Sequence, residues 1–519
     1  MRRHQTRKVL ELLTTLCEAY NEIEHLFSRR DLMAILKLLS ECQEAAVEVG
    51  NFIESIEGEG TQTVTLLEDY CELLYQISTD LYMNNAGYLQ QLQQLLIKID
   101  KSARIELIPN KLEIVFLPYN VSMFDTFESI WLAAKDDPLC ETHIVPIPYF
   151  ERRPDGTFGN MQYEGGLYPA CVPVEDWQAY DIEQRHPDVI FIHNPYDEHN
   201  HVTSVHPYFY SKRLRDFTDC LVYVPYFLLP GKFEEDFATT PGVLYSHKVI
   251  VQNDMVRDGY IKTLLKKYEE FNREDIEKHI IAMGSPKTDK LFNSRADAAI
   301  PLEWIPKIEN KKVIFFNTSI HLLLNNSEFF IENLLRLFKT FSANKDYAVI
   351  WREHPLTYAT LQSMRPALMD DYLHLRQMFL DDNYGIIDET PGPYTAIRLS
   401  DCYFGAGGSL SALYPLTGKP LMVMCYNYPD ELSNTEISLD KLLSSTIRRL
   451  MYYERNINSL ELYLKNLPAF EAQSIARKSL QAACSYNLDG TVGEKIYTHI
   501  KESCLYYEQS FADQEVIVT

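Results

Sequence analysis

Apolar side chains near the start of the chain recur at alternating steps of three and four positions, which places them on one stripe of an α-helix. The stripe covers residues 9–56, breaks at Gly58 and Gly60, and resumes over 67–99. The spacing predicts a helical region over residues 1–108. Two interpretations stay open: a coiled-coil hairpin through which two copies form a homodimer, or a bundle that packs on its own chain.

From residue 109 onward the helical spacing is replaced by short, mostly apolar runs, each followed by loop or helical sequence. A run of this kind is typical of a strand buried within a parallel sheet. The runs predict an α/β lobe over residues 109–285, with strands near 112–117, 143–147, 189–192, 221–224 and 249–251.

A second series of apolar runs alternates with longer helical segments and predicts a second lobe over residues 286–485. We expect helices near 327–341 and 362–379, and strands near 312–316, 348–351, 386–387, 402–404 and 421–424. Residues 486–519 contain an amphipathic helix that we expect to brace the lobes. The predicted fold class is α/β, with two Rossmann-like lobes preceded by the helical region. Ligands of such sheets bind beyond the carboxyl ends of the strands.

The overall charge limits the partners. The chain of 519 residues has a formal net charge of −24, so its surface repels nucleic acid, and we expect no nucleic-acid partner. Ten cysteines without a C-x-x-C pair favour free thiols in a reducing compartment, which predicts a cytoplasmic protein. The basic residues at 2–8 leave open a peripheral contact with the inner face of a membrane, beside the simpler interpretation as a solvated helix end.

Residues 405–411, Gly-Ala-Gly-Gly-Ser-Leu-Ser, follow a predicted strand and enter a predicted helix. Several backbone N–H groups and two hydroxyls then meet at one helix N-terminus, an arrangement that holds phosphate. We therefore expect Gly407, Gly408, Ser409 and Ser411 to bind a diphosphate. The alternative is a tight structural turn, because glycine also serves turns.

Two other predicted strands end in polar residues at the same edge of the sheet. One is followed by Arg352 and His354, and another by Asn317, Thr318 and Ser319. An arginine neutralises phosphate oxygens, and a histidine exchanges protons near neutral pH. The sequence therefore predicts a phosphate-binding edge with His354 as the catalytic candidate, although a lone histidine more often has a structural role.

Three motifs follow one another along the α/β part of the chain. They are Gly-Ser-Pro-Lys-Thr-Asp at 284–289, Arg-Glu-His-Pro at 352–355, and a Ser-Asp-Cys-Tyr-Phe-Gly-Ala-Gly-Gly-Ser-Leu-Ser stretch at 400–411 that is followed by Gly-Lys-Pro at 418–420. This ordered set resembles the motifs of the CDP-glycerol glycerophosphotransferases, over residues 112–485. The resemblance implies their two-lobed GT-B fold, with a nucleotide-activated donor bound between the lobes.

The resemblance also implies a reaction. It is the transfer of glycerol phosphate from CDP-glycerol to a hydroxyl of a teichoic-acid-like cell-wall polymer, with release of CMP. The implied partners are this donor and a polymer or lipid-linked acceptor, with no cofactor besides the donor substrate. His354 matches the family's catalytic histidine, and Ser409 and Ser411 approximate its hydroxyl pair. Asp388 and Glu389 lie in the segment before the nucleotide-binding helix, and the resemblance implies that they bind the nucleotide.

The chain departs from that family in its first lobe. The family's H-G-[ST]-P-x-K motif is absent, and residues 222–232 keep only its final Gly-Lys. His193, which follows a predicted strand, is our second catalytic candidate, and we expect it to bind the acceptor together with Asp197. No metal site is predicted, because the four histidines in 193–206 match no standard zinc spacing and the chain has no D-x-D motif.

Two other functions stay open. A GT-B glycosyltransferase that uses a nucleotide sugar has the same kind of leaving-group pocket, so these motifs do not separate it from a glycerophosphotransferase. A catalytically inactive, ligand-binding scaffold is consistent with the missing histidine motif of the first lobe.

Overall fold

The computed structural model describes residues 1–80, 85–108, 111–153, 155–200, 203–229, 235–292, 300–325, 327–381, 384–390, 392–424, 451–454, 460, 463–465, 467–468 and 485–512. These residues form an α/β protein with two six-stranded parallel sheets, preceded by four long helices. The predicted fold class, α/β with two Rossmann-like lobes after a helical region, is confirmed.

The four N-terminal helices form a bundle. Each helix packs on the next, and the first also packs on the fourth, which closes the bundle around one apolar core. The structure thus has the helices packed on their own chain, as one of the two interpretations expects, and a homodimer through them stays a prediction. The helices are α1 (Arg3–Arg29), α2 (Leu32–Glu57), α3 (Gln62–Thr79) and α4 (Asn85–Glu106).

The first lobe, here the N-lobe, contains a parallel sheet in the order β2-β1-β5-β7-β8-β9. A small antiparallel sheet, β4-β3-β6, is formed by segments that follow β2 and β5 in the chain, and it was not predicted. The strands are β1 (Leu112–Leu117), β2 (Cys140–Ile144), β3 (Tyr149–Arg152), β4 (Phe158–Gln162), β5 (Val189–Ile192), β6 (Thr203–Val205), β7 (Cys220–Tyr223), β8 (Lys248–Val251) and β9 (Ile280–Ala282). The helices are α5 (Glu128–Lys135), α6 (Ile182–Arg185), α7 (Ser211–Leu214), α8 (Pro241–Tyr245), α9 (Asp254–Lys267) and α10 (Arg273–His279).

The second lobe, here the C-lobe, contains a parallel sheet in the order β12-β11-β10-β13-β14-β15. Its strands are β10 (Lys312–Asn317), β11 (Tyr347–Arg352), β12 (Ile386–Ile387), β13 (Cys402–Ala406), β14 (Leu421–Met424) and β15 (Met451–Glu454). The helices are α11 (Asp289–Phe292), α12 (Ile305–Ile308), α13 (Ile320–Asn325), α14 (Ser327–Ala343), α15 (Thr357–Met364), α16 (Met369–Asp381), α17 (Tyr394–Leu399) and α18 (Ser409–Leu413). The single helix predicted near 362–379 is in fact α15 and α16. Pro366 separates them, because proline disfavours helical backbone at the residue before it.

The closing helix, α19 (Val492–Ala512), returns from the C-lobe and packs on α5 of the N-lobe. Val492, Ile496 and Ile500 are buried in the same apolar cluster as residues of β1 and β5. Asp289 fixes the start of this helix, since its carboxylate accepts the backbone N–H groups of Val492 at 3.0 Å and Gly493 at 2.7 Å. The brace expected from the sequence is therefore made mainly with the N-lobe.

Candidate functional site

The carboxyl ends of three C-lobe strands lie side by side. Strand β10 lies between β11 and β13, and Asn317 at its end is level with Arg352 of β11 and Gly405 of β13. Because neighbouring strands are about 4.8 Å apart, the residues after the three strands share one edge over roughly 10 Å. We call it the C-lobe edge. It collects most of the predicted ligand-binding residues, namely Asn317, Thr318, Ser319, Arg352, His354, Gly407, Gly408, Ser409 and Ser411.

Arg352 is held within its own lobe. Its Nη1 donates to Asp388 Oδ2 at 2.7 Å and to the carbonyl of Gly392 at 3.3 Å. Asp388 Oδ1 accepts the backbone N–H of Thr390 at 3.0 Å, and the Asp388 side chain is fully buried. Both residues therefore stabilise the loop before α17, and the guanidinium charge is already paired. Their predicted contact with a nucleotide stays a prediction.

His354 follows β11 with its ring half-buried. Its Nδ1 accepts the backbone N–H of Leu356 at 3.1 Å. A neutral imidazole then carries its proton on the other nitrogen, so Nε2–H is a donor. Burial lowers the pKa of His354 from its ordinary value, which favours this neutral ring at pH 7. In this arrangement His354 offers a hydrogen-bond donor, while its one lone pair is already used.

The two serine hydroxyls of the glycine turn, Ser409 and Ser411, have different surroundings. Ser411 is buried, and its Oγ accepts the N–H of Gly408 and donates to the Gly408 carbonyl, both at 2.9 Å. Gly407, Gly408 and Ser409 are exposed at the C-lobe edge. Ser411 therefore shapes the turn, whereas Ser409 presents its hydroxyl to solvent.

The polar residues after β10 hold the edge together. Asn317 Nδ2 donates to the carbonyl of Arg352 at 3.1 Å, and Thr318 Oγ1 accepts the indole N–H of Trp351 at 3.3 Å. Ser319 Oγ accepts a backbone N–H at 3.3 Å in the first turn of α13. Asn317 and Thr318 are buried. These internal contacts are enough to explain why polar residues occur at the three positions. Ligand binding by the three residues therefore stays a prediction.

Glu389 was also predicted to bind the nucleotide, but its side chain takes no part in the contacts described above for the C-lobe edge. Its side chain is 74% exposed and forms an ion pair with Arg376 of α16. Arg376 also binds Glu353 at 3.0 Å, which links α16 to the loop after β11. Glu389 therefore contributes to a surface charge network beside the C-lobe edge.

Lys419, the lysine of the Gly-Lys-Pro motif, also has a structural task. Its Nζ donates to the carbonyls of Ile397, Arg398 and Ser400 at 2.9, 2.8 and 2.6 Å. These carbonyls lie at the C-terminal end of α17, where a cation is stabilising. Burial lowers the pKa of Lys419 to about 8. The lysine thus terminates a helix between β12 and β13.

In the N-lobe, His193 follows β5 and is fully buried. Its Nε2 accepts the backbone N–H of Tyr119 at 3.3 Å, so the proton resides on Nδ1. The backbone of Met123 interacts with the ring, but Nδ1 makes no hydrogen bond of ordinary geometry to the described residues. Phe127 stacks on the ring, with centroids 4.9 Å apart. Burial, with the nearby Lys287 charge, lowers the pKa of His193 to about 3.

Asp197, which we expected to bind the acceptor beside His193, is engaged elsewhere. Its Oδ2 accepts the backbone N–H of Ser211 at 2.8 Å and the Ser211 hydroxyl at 2.5 Å. Burial raises the pKa of Asp197 to about 7. The carboxyl group therefore fixes the start of α7.

The motif at 284–289 forms the linker between the lobes. Gly284 has φ +105°, and a Cβ there would lie 2.5 Å from the carbonyl oxygen of Tyr486, so the position requires glycine. Thr288 Oγ1 donates to the carbonyl of Ser285 at 2.7 Å, and Asp289 fixes α19 as described above. The motif therefore connects the N-lobe, the C-lobe and α19. These contacts are a structural reason for its sequence.

The junction of the two lobes contains residues whose partnership the sequence did not predict. Asp125 lies on the turn Val121–Thr126 after β1, and its Oδ1 binds Lys287 Nζ of the linker at 2.6 Å. Its Oδ2 accepts the hydroxyl of Tyr394 at the start of α17 in the C-lobe. The motif at 284–289 was visible as a sequence feature, but nothing in the sequence signalled that it meets the turn Val121–Thr126 and Tyr394.

A small open pocket lies beside this junction in the N-lobe. It is lined mainly by apolar side chains at the ends of β7, β8 and β9, and by Ser285. The Ser285 hydroxyl is buried and has no hydrogen-bond partner among the described residues. The pocket therefore offers apolar surface and the Ser285 hydroxyl at the carboxyl edge of the N-lobe sheet.

Within the described ranges, no cluster of His, Cys, Asp or Glu is arranged to hold a metal ion. His201, one of the four histidines considered for such a site, lies outside these ranges. None of the helices that the structure describes is both long and apolar enough to cross a membrane.

Comparison with known proteins gives similarity of fold. No protein-family model and no curated protein matches the chain. Among solved structures, UDP-GlcNAc 2-epimerase from Neisseria meningitidis bound to UDP-GlcNAc is 11% identical, with a TM-score of 0.49. The match covers 76% of this chain and 100% of the epimerase chain. The wall teichoic acid polymerase TagF is 13% identical with a TM-score of 0.47, over 86% of this chain and 99% of that one. The S. aureus MnaA–UDP co-structure is 10% identical with a TM-score of 0.46, over 75% and 96% of the two chains. Similarities of this size carry no argument about chemistry.

Proposed function

We propose that the chain is a transferase that moves glycerol phosphate from CDP-glycerol to a hydroxyl of a cell-wall or surface polymer and releases CMP. The supporting observation is the register of β10, β11 and β13, because it brings the exposed glycine turn and the Nε2–H of His354 to one edge. These two features belong to separate motifs of the resemblance stated above. A donor N–H and several backbone N–H groups at one edge suit an anionic diphosphate.

In the proposed reaction the acceptor oxygen forms a bond with the β-phosphorus of CDP-glycerol, and the bond from that phosphorus to the bridging oxygen breaks. CMP leaves with the bridging oxygen and its electron pair. The acceptor hydroxyl loses its proton to solvent. Phosphoryl transfer depends mainly on positioning and on stabilising the charge that develops on oxygen.

His354 suits the leaving-group side of this reaction. Its Nε2–H donates to an oxygen of the departing CMP, whose negative charge grows as the bond breaks. Its Nδ1 lone pair is occupied by the N–H of Leu356, so the ring does not take the acceptor proton in this geometry. Ser409 and the backbone of Gly407 hold the diphosphate from the other side of β10, whereas the N–H of Gly408 is already bound to Ser411 Oγ.

The charge of Arg352 contributes less than the sequence predicts. Asp388 already neutralises it, so neutral N–H and O–H donors carry most of the proposed phosphate binding. Such donors act without a large net positive charge, which is compatible with the formal net charge of −24.

The test is a donor panel. Purified protein is incubated with CDP-glycerol or with UDP-sugars, in each case with a glycerol phosphate oligomer as acceptor, and the free nucleotide is measured. We expect CMP and a lengthened oligomer with CDP-glycerol. Release of UDP with a glycosylated oligomer would identify a nucleotide-sugar transferase instead. Binding of a nucleotide without release of any product would identify a scaffold.

A further inference from the structure

His193 is wrapped by a single short segment of the N-lobe. Tyr119 donates its N–H to the ring, Phe127 stacks on it, and the charge of Asp125 and the carbonyl of Met123 act on it. We call residues 119–127 the His193 lid. Because the lid covers the ring on several sides, the unpaired Nδ1–H is closed to solvent in this structure.

A buried donor without a partner is costly, and proteins seldom keep one without a use. The ring is neutral because burial lowers its pKa to about 3, so Nδ1 keeps one proton over the physiological pH range. The surrounding rings of Phe127, Tyr119 and Tyr226 fix its orientation. The result is a preformed N–H donor that, among the described residues, has the Met123 backbone nearby but no well-formed hydrogen bond.

Two groups of polar contacts fasten the lid, in addition to the burial of Phe124 and Phe127 in the N-lobe core. Near its start, Glu164 accepts the side-chain amide of Asn120 at 3.0 Å and the N–H of Val121 at 2.8 Å, both within the N-lobe. Near its end, Asp125 binds Lys287 of the linker and Tyr394 of the C-lobe. Only the second fastening involves the C-lobe, so relative movement of the lobes acts on the lid at Asp125.

At the second fastening, Tyr394 of the C-lobe donates a hydrogen bond to Asp125 of the lid. Burial and the Asp125 carboxylate raise the pKa of Tyr394 well above its ordinary value, so its hydroxyl keeps the proton that it donates to Asp125. Lys290 lies over the Tyr394 ring, 5.6 Å from its centroid, and pairs with Glu128 just after the lid. The same tyrosine therefore contacts Lys290 of α11 and the carboxylate of the lid.

We propose that Asp125 is an interlobe latch: it keeps the lid closed over His193, and separation of the lobes opens the lid so that the Nδ1–H meets an oxygen of the acceptor. That this oxygen belongs to the acceptor rests on the proposed function. The latch itself does not depend on the proposed function. In this scheme His193 is a positioning residue that orients the acceptor and transfers no proton.

The latch is tested by hydrogen–deuterium exchange at the C2 position of each histidine, read by mass spectrometry on the full chain. Tyr394→Phe removes one hydrogen bond to a carboxylate with little change in shape. We expect exchange at His193 to become about tenfold faster, the effect of losing one such bond, while His354 in the same sample is unchanged. Small-angle scattering should report a larger radius of gyration.

Tyr372→Phe is the matched control. It also removes a tyrosine hydroxyl from a carboxylate, that of Glu353, but both residues belong to the C-lobe. We expect it to leave exchange at His193 at the wild-type rate. Equal exchange at His193 in wild type and in Tyr394→Phe would overturn the latch, as would equal acceleration by the control.

The donor role is tested in the transfer reaction. His193→Asn places an amide N–H close to the position of Nδ1, whereas His193→Leu removes the donor. We expect the leucine variant to raise KM for the oligomer acceptor about tenfold with unchanged affinity for CDP-glycerol, and the asparagine variant to restore KM in large part. A leucine variant that folds and has the wild-type KM would refute this role. Absence of turnover in the wild type would instead refute the proposed function, and the exchange experiment would still decide on the latch.

Discussion

The two histidines that follow parallel strands in the two lobes are similar in bonding and opposite in surroundings. Each ring uses one nitrogen to accept a backbone N–H, Nε2 in His193 and Nδ1 in His354. The remaining N–H is therefore Nδ1 in the N-lobe and Nε2 in the C-lobe. His193 is fully buried beneath its lid, whereas His354 is half-buried at an open edge.

The difference shows that a histidine at a strand end is not in itself a proton acceptor. In both lobes a backbone N–H has taken the lone pair, so each ring is a donor with a fixed direction. At the C-lobe edge most neighbouring polar groups have partners of their own, and the exposed turn with Ser409 remains for a ligand. In the N-lobe the donor itself has no hydrogen-bond partner among the residues that the structure describes. In the proposed scheme the C-lobe edge therefore binds without rearrangement, whereas the N-lobe donor is reached only after the lid opens.

The largest expected effect concerns His354. Removing one preorganised donor to a developing anion typically lowers a rate by about 100-fold or more, so we expect this loss of single-turnover CMP release in His354→Ala. His354→Gln, whose amide nitrogen reaches the position of Nε2, should retain much of the rate, while His354→Asn should not. The order is the reverse of that at His193. Equal activity of the glutamine and asparagine variants would contradict the assignment of the proton to Nε2.

The next effect is on stability and concerns His193. Its pKa is about 3 in the folded chain against an ordinary value of 6.5, so below pH 6.5 the unfolded chain binds the extra proton and stability falls as pH falls. Between pH 6.5 and pH 5 the loss is about 2 kcal/mol. The free energy of unfolding should therefore fall by about 2 kcal/mol less in His193→Phe than in wild type when the pH is lowered. Urea titrations of both proteins at pH 7 and pH 5 measure this difference.

Other buried histidines titrate in the same interval, since burial lowers the pKa values of His4 and His247 to about 4. They are present in both proteins, so their effect cancels in the difference between wild type and variant. The same pH dependence in wild type and His193→Phe would show that His193 is not buried in solution.

The smallest effect separates the two serines of the glycine turn. Ser411→Ala removes the hydroxyl that bonds both backbone groups of Gly408 and should lower the free energy of unfolding by about 1 kcal/mol. Ser409→Ala should leave stability within about 0.5 kcal/mol and weaken CDP-glycerol binding about threefold. Urea titration and calorimetry measure the two quantities. A destabilised Ser409→Ala would show that its hydroxyl supports the turn.

Much of the fold follows from local pattern. The apolar runs at 189–192 and 421–424 coincide with β5 and β14, because a strand buried on both faces has little room for polar residues. The antiparallel sheet β4-β3-β6 was not predicted, because its strands are short and partly exposed and their sequence lacks a clear alternation. Pro366 was a visible signal for the break between α15 and α16.

The candidate site was less accessible to sequence reasoning. The residues of the C-lobe edge were identified because they follow strands, which is a local property. The partners of those residues were not, since Arg352 meets Asp388 and Lys419 meets the end of α17 only after the sheet has assembled. The latch is the extreme case, because Asp125 and Tyr394 are separated by 269 positions. Which polar residue remains for a ligand depends on contacts of this kind.

The position of α19 has a consequence for the order of folding. Val492 and Ile496 complete the apolar cluster beneath β1 and β5, yet they are synthesised after every strand of the C-lobe. Domains generally fold in the order in which the ribosome releases them. Here the earlier lobe keeps an uncovered apolar surface until the later lobe has been made, so a nascent chain exposes that surface to chaperones throughout this interval.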